Sequence, residues 1–186
     1  MAGNQSVISI CSNALIMLGA EPISDLSGAD AGTVAASNLF ENAYQNVLES
    51  YDWNFARKKV QLARKQAAPI NTYDYAFSLP TDLLRLINAD SSDYDIIGNE
   101  LQSSSQSVYI EYVANTDINK APYYFANALE LMMASKLAIP VTGDIDKASL
   151  YMGLYERAIR KARHLDARQT PTKDIVSKPF IDARFN

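Results

Sequence analysis

The N-terminal part of the chain has the apolar spacing of an amphipathic helix. Four residues recur every three or four positions and therefore share one helical face: Ile8, Cys11, Leu15 and Leu18. Ser6 suits the N-cap of this helix, and Gly19 suits its C-terminal end, with Pro22 preventing continuation. Cys11 is the only cysteine, and its place on the apolar face predicts a small core residue.

A longer helix is predicted from about Asp30 to Tyr51. Asp30 suits its N-cap, and an aromatic-rich face follows at helical spacing: Phe40, Tyr44, Val47 and Tyr51. Trp53 and Phe55 come directly after this helix, and both are expected to seek burial.

From Val60 onward the apolar period changes to two, which is typical of strands. Alternation or turn residues predict strands at 75–79, 84–88, 94–97, 100–103 and 108–113. Gly98 and Asn99 would form the turn of a hairpin between the third and fourth of these. Because short loops join them, the strands are expected to form one small antiparallel sheet.

Helical spacing returns at Pro122 and continues nearly to the end of the chain. Pro140 is expected to close the third helix, and Thr142 to cap the fourth. The core face predicted for the fourth helix is Ala148, Tyr151, Leu154, Tyr155, Ala158, Ala162 and Leu165. After Gln169 the periodicity is lost, and apolar residues spaced along an extended tail indicate a segment that docks on a partner.

These elements predict an α+β fold that is mainly α. The expected architecture is an antiparallel helical bundle with an inserted small antiparallel β-sheet and an extended C-terminal arm. Residues 1–59 and 120–168 would form the bundle, 60–119 the β-rich insertion and 169–186 the arm. No apolar run reaches the roughly 20 residues of a membrane span, and no signal peptide is indicated near the start.

Charge is unevenly distributed along the chain. Residues 1–150 carry 9 Lys+Arg and 17 Asp+Glu, and residues 151–186 carry 8 Lys+Arg and 4 Asp+Glu, so a total of −4 divides into −8 and +4. The acidic and basic parts could attract each other between subunits, or could each attract a different partner. Solvent-exposed faces of unequal charge would explain the same distribution without any partner. The net negative charge argues against a uniformly basic nucleic-acid binder.

The sequence contains no common motif of a catalytic triad or of a nucleotide-binding loop. His164 is the only histidine, and GxSxG, Walker A and GxGxxG sequences are missing. We therefore expect no enzymatic activity, no cofactor and no metal. The spacing of Asp90, Asp93 and Asp95 superficially suggests a calcium loop but lacks the required glycine and terminal glutamate.

Two features leave other functions open. The carboxylate pairs Asp93/Asp95 and Asp144/Asp146 could serve a cell-wall hydrolase, although such pairs are usually solvated or act as caps. A basic cluster comprises Arg157, Arg160, Lys161, Arg163 and Arg168. It could contact DNA phosphates, but we favour a solvated helix end or an intersubunit contact.

The order of several motifs resembles the tail tubular protein A family, the head-to-tail adaptors of short-tailed phages. The resemblance begins with Leu18-Gly19-Ala20-Glu21-Pro22-Ile23-Ser24-Asp25-Leu26, followed by an alanine-rich helix and Asp52-Trp53-Asn54-Phe55-Ala56. Phe77-Ser78-Leu79-Pro80-Thr81-Asp82 and the late helices with a trailing tail continue it. It extends over roughly Val7 to Leu165. Because connector proteins of long-tailed phages share the same kind of helical core, a head-completion connector of a long-tailed phage is the alternative.

The resemblance implies a structural virion protein at the head-tail interface, assembled in the host cytoplasm. Such a subunit would form a homo-oligomeric ring, a dodecamer, around a channel through which phage DNA passes without sequence-specific binding. The arm would bind the portal protein, and the sheet would face a nozzle protein of the tail tubular protein B type. No membrane contact is implied.

The candidate contact residues follow from these expectations. Residues expected to bind the portal are Arg168, Lys173, Ile175, Val176, Lys178, Phe180, Ile181 and Phe185. Residues of the sheet expected to bind the nozzle are Tyr94, Asp95, Tyr109 and Tyr112, because tyrosine is common at interfaces.

Overall fold

A computed structural model describes residues 6–67, 69 and 72–169 of the chain. Its helices are α1 (Val7–Met17), α2 (Ala31–Glu49), α3 (Tyr123–Thr142) and α4 (Ile145–Ala167), with a short 3-10 helix at Ile118–Lys120. Its strands are β1 (Arg57–Gln61), β2 (Ala63–Arg64), β3 (Tyr75–Ser78), β4 (Leu83–Ala89), β5 (Tyr94–Ile97), β6 (Glu100–Ser103) and β7 (Tyr109–Ala114).

The strands form two antiparallel sheets. The first has the order β1-β7-β4 and the second the order β2-β3-β6-β5. Leu62 alone separates β1 from β2, and its N–H donates to the Val108 carbonyl at 2.9 Å. One extended segment therefore belongs to both sheets in turn and links them.

Strand β7 lies between two hydrophobic cores. Val113 is buried in the core formed with the helices, whereas Ile110 and Tyr112 are buried in a second core between the sheets. Alternate side chains of a strand point to opposite faces, so a single strand can serve both cores. The molecule is thus layered as helices, first sheet and second sheet.

This architecture corrects the expected fold class. The chain is α+β, but it is not a mainly helical bundle with one small sheet: the described residues are 47% helix and 20% strand, arranged as four α-helices and two sheets. The expectation failed because β1 and β2 were not recognised. Arg57–Gln61 has Val60 as its single apolar residue, so its sequence shows no alternation of apolar and polar positions, and every position is exposed.

The starts of the first two helices are those predicted from the sequence, whereas the predicted end of α3 and the predicted cap of α4 are wrong. Ser6 and Asp30 are the N-caps of α1 and α2. Pro140 does not close α3, which continues to Thr142 and ends before Gly143, whose φ of +69° suits glycine. Asp144, and not Thr142, caps α4 by accepting two backbone N–H groups.

The link between α2 and the first sheet is held by Trp53. Its side chain is 0% exposed, and its Nε1–H donates to the Val47 carbonyl at 3.0 Å. Tyr51 and Phe125 contact the indole ring edge-on, each with a centroid distance of 5.1 Å. The predicted burial of Trp53 is confirmed, and its position joins α2, α3 and the entrance to β1.

Two arginines from distant elements donate hydrogen bonds to backbone carbonyls at the C-terminal end of α2. Arg85 on β4 donates to the Glu49 carbonyl at 3.1 Å, and Arg163 on α4 donates to the Ser50 carbonyl at 3.0 Å. Cations at this end satisfy carbonyls that lack helical partners and complement the negative end of the helix dipole. Arg85 also forms an ion pair with Asp52.

Cys11 is fully buried in the helical core, as its helical position predicted. Burial raises the pKa of its thiol to about 12, which leaves very little of the reactive thiolate near neutral pH. Within the described residues, no helix combines the length and apolar character needed to cross a membrane.

Replacing Trp53 with alanine is expected to lower the free energy of unfolding by about 3–5 kcal/mol, because it empties a fully buried aromatic site. Urea titration followed by circular dichroism would measure the change. Tyr123→Ala removes an aromatic ring that is mostly exposed and should change stability by less than about 0.5 kcal/mol. Equal losses in the two variants would contradict the role given to Trp53.

Candidate functional site

The base of the predicted arm is fixed to the body by a buried carboxylate. Asp166, in the last turn of α4, is 0% exposed and accepts the Asn54 backbone N–H at 3.0 Å and the Tyr124 hydroxyl at 2.7 Å. In return, the Asn54 side-chain amide donates to the Asp166 carbonyl at 2.8 Å. Gln169 donates to the Tyr124 oxygen at 3.1 Å, so the last described residue is held as well.

Tertiary contacts, rather than helix preference, explain an aspartate at this position. A negative charge is disfavoured near the C-terminal end of a helix, where the dipole is also negative. Asp166 is accommodated because Asn54 and Tyr124 supply donors from the α2–β1 link and the first turn of α3. Burial and the hydrogen bond to Asp166 raise the pKa of Tyr124, which therefore stays protonated and can donate.

Two clefts lie beside the Asp166 hydrogen-bond network, and Tyr123 and Tyr124 line both of them. The larger, about 510 Å³, is lined by Asn54, Phe55, Lys120, Pro122, Tyr123, Tyr124 and Gln169. The smaller, about 240 Å³, lies between α3 and α4 and includes Ala158 and Leu165. We call the Asp166 network and these two clefts the arm-exit site, a surface whose aromatic and polar groups suit a peptide segment.

Arg168 is the only one of the predicted portal contacts whose surroundings are described. It is the C-cap of α4 and is exposed beside the arm-exit site. The other predicted portal contacts lie outside the described residues: Lys173, Ile175, Val176, Lys178, Phe180, Ile181 and Phe185.

The predicted nozzle contacts are distributed over both sheets, and one of them is buried. Tyr94 and Asp95 lie on β5 at the edge of the second sheet, whereas exposed Tyr109 lies on β7 in the first. Tyr112 is only 3% exposed, and its hydroxyl donates to Asp82 at 3.0 Å. Burial, with that hydrogen bond, raises the pKa of Tyr112 to about 12. A surface contact by Tyr112 does not fit this burial.

Exposed apolar residues near Tyr94 were missed by the sequence reasoning. Ile96 and Ile97, the last two residues of β5, are both exposed beside the Gly98–Asn99 turn. Consecutive strand residues point to opposite faces, so two adjacent isoleucines at a hairpin tip cannot both enter one core. Two adjacent isoleucines before the turn are therefore the feature of the sequence that could have predicted exposed apolar residues here. We call Ile96 and Ile97 the β5 tip.

The carboxylates considered for hydrolysis are arranged differently from a catalytic pair. Asp144 serves as the N-cap of α4, with the neighbouring Asp146 backbone N–H among its donors. Asp93 and Asp95 are both exposed on or beside β5, and the Tyr73 hydroxyl lies 3.4 Å from Asp93. A glycosidase acid typically lies in an apolar pocket, whereas Asp93, Asp95 and Asp146 are exposed and the partly exposed Asp144 is engaged as a helix cap. Among the described residues, no group of three or more His, Cys, Asp or Glu is placed to hold a metal ion.

Glu130 differs from these exposed carboxylates because it is partly buried between helices. Burial raises the pKa of its carboxyl, while the hydrogen bond from the Asn13 side chain, at 2.7 Å, acts in the opposite direction. This contact joins α1 to α3 and gives the helical core a pH-sensitive group.

Comparison with known proteins does not assign the chain to a family. No protein-family model matches it, and the search of curated proteins found no match. The resemblance to tail tubular protein A therefore stays a prediction.

Replacing Asp166 with alanine should destabilise the protein by about 2–4 kcal/mol, because the Asn54 N–H and the Tyr124 hydroxyl lose their acceptor. Asp166→Asn should cost less, since its amide oxygen can still accept one bond. Chemical denaturation would rank the two variants. Comparable destabilisation by both would show that charge, and not hydrogen bonding, is the main contribution of Asp166.

Glu130→Gln is expected to stabilise the protein at pH 7 by no more than about 1 kcal/mol, because the half-buried carboxylate is partly screened by solvent. A raised folded-state pKa means that wild-type stability is complete below the unfolded pKa and falls as pH rises through the folded value. The stability difference between variant and wild type should thus grow above about pH 4.5. Thermal melts from pH 4 to 8 would measure it, and a difference independent of pH would contradict the assignment.

Proposed function

We propose that this chain is a structural subunit of a phage head-to-tail connector, located in the virion and without catalytic activity of its own. In this proposal, copies of the chain form a ring, a dodecamer, through which DNA passes. The arm binds the portal protein, and the β5 tip binds the nozzle protein. The sequence resemblance suggests these partners, and the arrangement of exposed apolar residues supports a connecting role.

The observation that carries the proposal is that large exposed apolar residues lie close together in sequence at two distant parts of the body, whereas those on α1, α2 and β1, such as Ile16, Val34 and Val60, are spaced apart. One part is the β5 tip, which belongs to the second sheet. The other is the α3–α4 turn and the start of α4, where Ile139, Leu150 and Met152 are exposed and Ile145 is 71% exposed. Such surfaces favour association because burial removes apolar area from water.

The layered fold explains why these two parts are far apart. The second sheet packs on the face of the first sheet opposite the helical core. In the helical layer, Phe125 contacts Trp53 at the junction with the sheets, and Ile139 follows 14 residues later in the same helix. That separation is about 21 Å along α3, so the α3–α4 turn lies at the end remote from the sheets.

The arm-exit site supports a portal-binding arm. The Asp166 network holds Gln169, the residue directly before the arm, and the arm sequence carries apolar residues interspersed with lysines. A fixed residue at the start of the arm restricts the positions that the arm can reach, which lowers the conformational entropy lost when the arm binds. The tyrosine-lined clefts beside it offer further contact area for a partner.

The connecting role is tested by removing the two proposed contacts separately. Native mass spectrometry with purified portal and nozzle proteins would compare the full chain with two altered forms: a truncation after Gln169, and Ile96→Ser combined with Ile97→Ser. We expect the truncated chain to lose the portal but bind the nozzle, and the serine variant to do the reverse. Val34→Ser, at an exposed apolar position on α2, is the control and should retain both partners.

Each component of the proposal has its own contrary result. Normal joining of the truncated chain to the portal would exclude the proposed role of the arm. Normal nozzle binding by the serine variant would exclude the β5 tip. If the full chain bound neither the portal protein nor the nozzle protein, the connector function would be excluded.

A further inference from the structure

The outer face of α4 carries a line of basic side chains. The residues of this basic stripe are Arg157, Arg160, Lys161, His164 and Arg168, and all five are exposed. Their spacing of three, one, three and four residues places them on one side of a helix. From first to last they extend about 16 Å along the axis.

Arg163 was grouped with these residues by sequence, but the structure separates it. Its guanidinium donates to the Ser50 carbonyl and lies 5.8 Å from the Tyr51 ring centroid, on the side that faces the body. Arg163 therefore supports the end of α2, while the stripe faces solvent. The stripe carries four permanent positive charges in addition to His164.

The cations of the stripe lack carboxylate partners within the described part of the chain. The ion pairs found there use other cations: Arg57, Lys58, Lys59, Lys65 and Arg85. Asp166 points inward and is buried, and the exposed Glu156, four residues before Arg160, forms none of the ion pairs found in the described residues. The charge of the stripe is thus available to an external anionic partner.

The composition around the stripe favours nucleic-acid phosphate over a protein surface. The large exposed apolar residues of α4 are Ile145, Leu150 and Met152, all of which precede the stripe. Protein interfaces usually have an apolar centre, whereas contacts to phosphate are polar and strongly positive. The five residues of the stripe include no aromatic ring of Phe, Tyr or Trp on which an unpaired base could stack, which favours a duplex over a single strand.

We infer that the basic stripe of α4 binds the phosphate backbone of duplex DNA without reading its sequence. Four cations on one face of the helix can neutralise several phosphates of a neighbouring duplex, and release of its counterions would drive binding. The net charge of −4 opposes close approach elsewhere on the surface, so contact would be confined to this face. The inference rests on α4 itself and not on the proposed ring.

Fluorescence anisotropy with a labelled 20-base-pair duplex of arbitrary sequence tests the inference on the full chain. With four phosphate contacts, the logarithm of the association constant should fall with the logarithm of the salt concentration at a slope of about −3.6. The association constant should therefore decrease roughly 150-fold between 50 and 200 mM NaCl. Replacing Arg157, Arg160 and Arg168 with glutamine should weaken binding at 50 mM at least about 10-fold and bring the slope near −0.9.

Two variants that remove the same number of charges serve as controls. Lys58, Lys59 and Arg64 are exposed and lie off α4, and their replacement with glutamine should change affinity by less than about 2-fold. The second control replaces Lys173, Lys178 and Arg184 with glutamine and should likewise leave most of the binding. Circular dichroism would verify that each variant is folded.

Three outcomes would overturn the inference. These are no binding by the wild type at 50 mM NaCl, equal losses in the stripe variant and a control, or a larger loss when the arm cations are removed. A stripe variant that binds DNA normally but changes its sedimentation coefficient would instead assign the stripe to contact with a second copy. Because portal and nozzle proteins are not used, this assay can fail while the connector function stands, and the reverse also holds.

Discussion

Burial of Trp53 at the end of α2 is the constraint on which the relation between the helices and the sheets depends. Three groups of contacts converge there: the indole N–H with the Val47 carbonyl, the edge-on contact with Phe125, and the Arg85 and Arg163 bonds to the last carbonyls of α2. Three residues later, the Ala56 carbonyl accepts the Ala114 N–H at 2.9 Å, so the chain enters β1 already paired with β7. Displacing the indole would loosen α2, α3 and the first sheet together.

The same junction connects the core to the arm-exit site. Asn54 follows Trp53 directly, and its backbone and side chain hold Asp166 at the other end of the chain. Tyr124, which precedes Phe125, supplies the other donor to the Asp166 carboxylate. Because neighbouring residues serve the core and the site, the last turn of α4 is held beside the aromatic core around Trp53.

The surface is divided into regions of different character. Apolar residues are exposed at the β5 tip and at the α3–α4 turn, while the second half of α4 carries unpaired positive charge. By contrast, the cations of β1 are paired with Asp82 and Glu111 and contribute less to the external field. A subunit with two apolar regions and one basic face fits assembly with protein partners alongside a polyanion, as the two proposals state.

Local features of the sequence determined those elements whose signals lie within a few residues. The Ser6 and Asp30 caps, the hairpin around Gly98 and the burial of Cys11 were all predictable, because capping, turn formation and helical periodicity act over short distances. Only the tertiary structure decided that Arg57–Gln61 is a strand, since the segment lacks alternation and obtains its hydrogen bonds from β7, far along the chain. Burial of Tyr112 and Asp166 was likewise decided by distant partners, Asp82 for the first and Asn54 and Tyr124 for the second. A residue's spacing shows which face it occupies, but only packing between distant segments decides whether that face meets solvent or a second core.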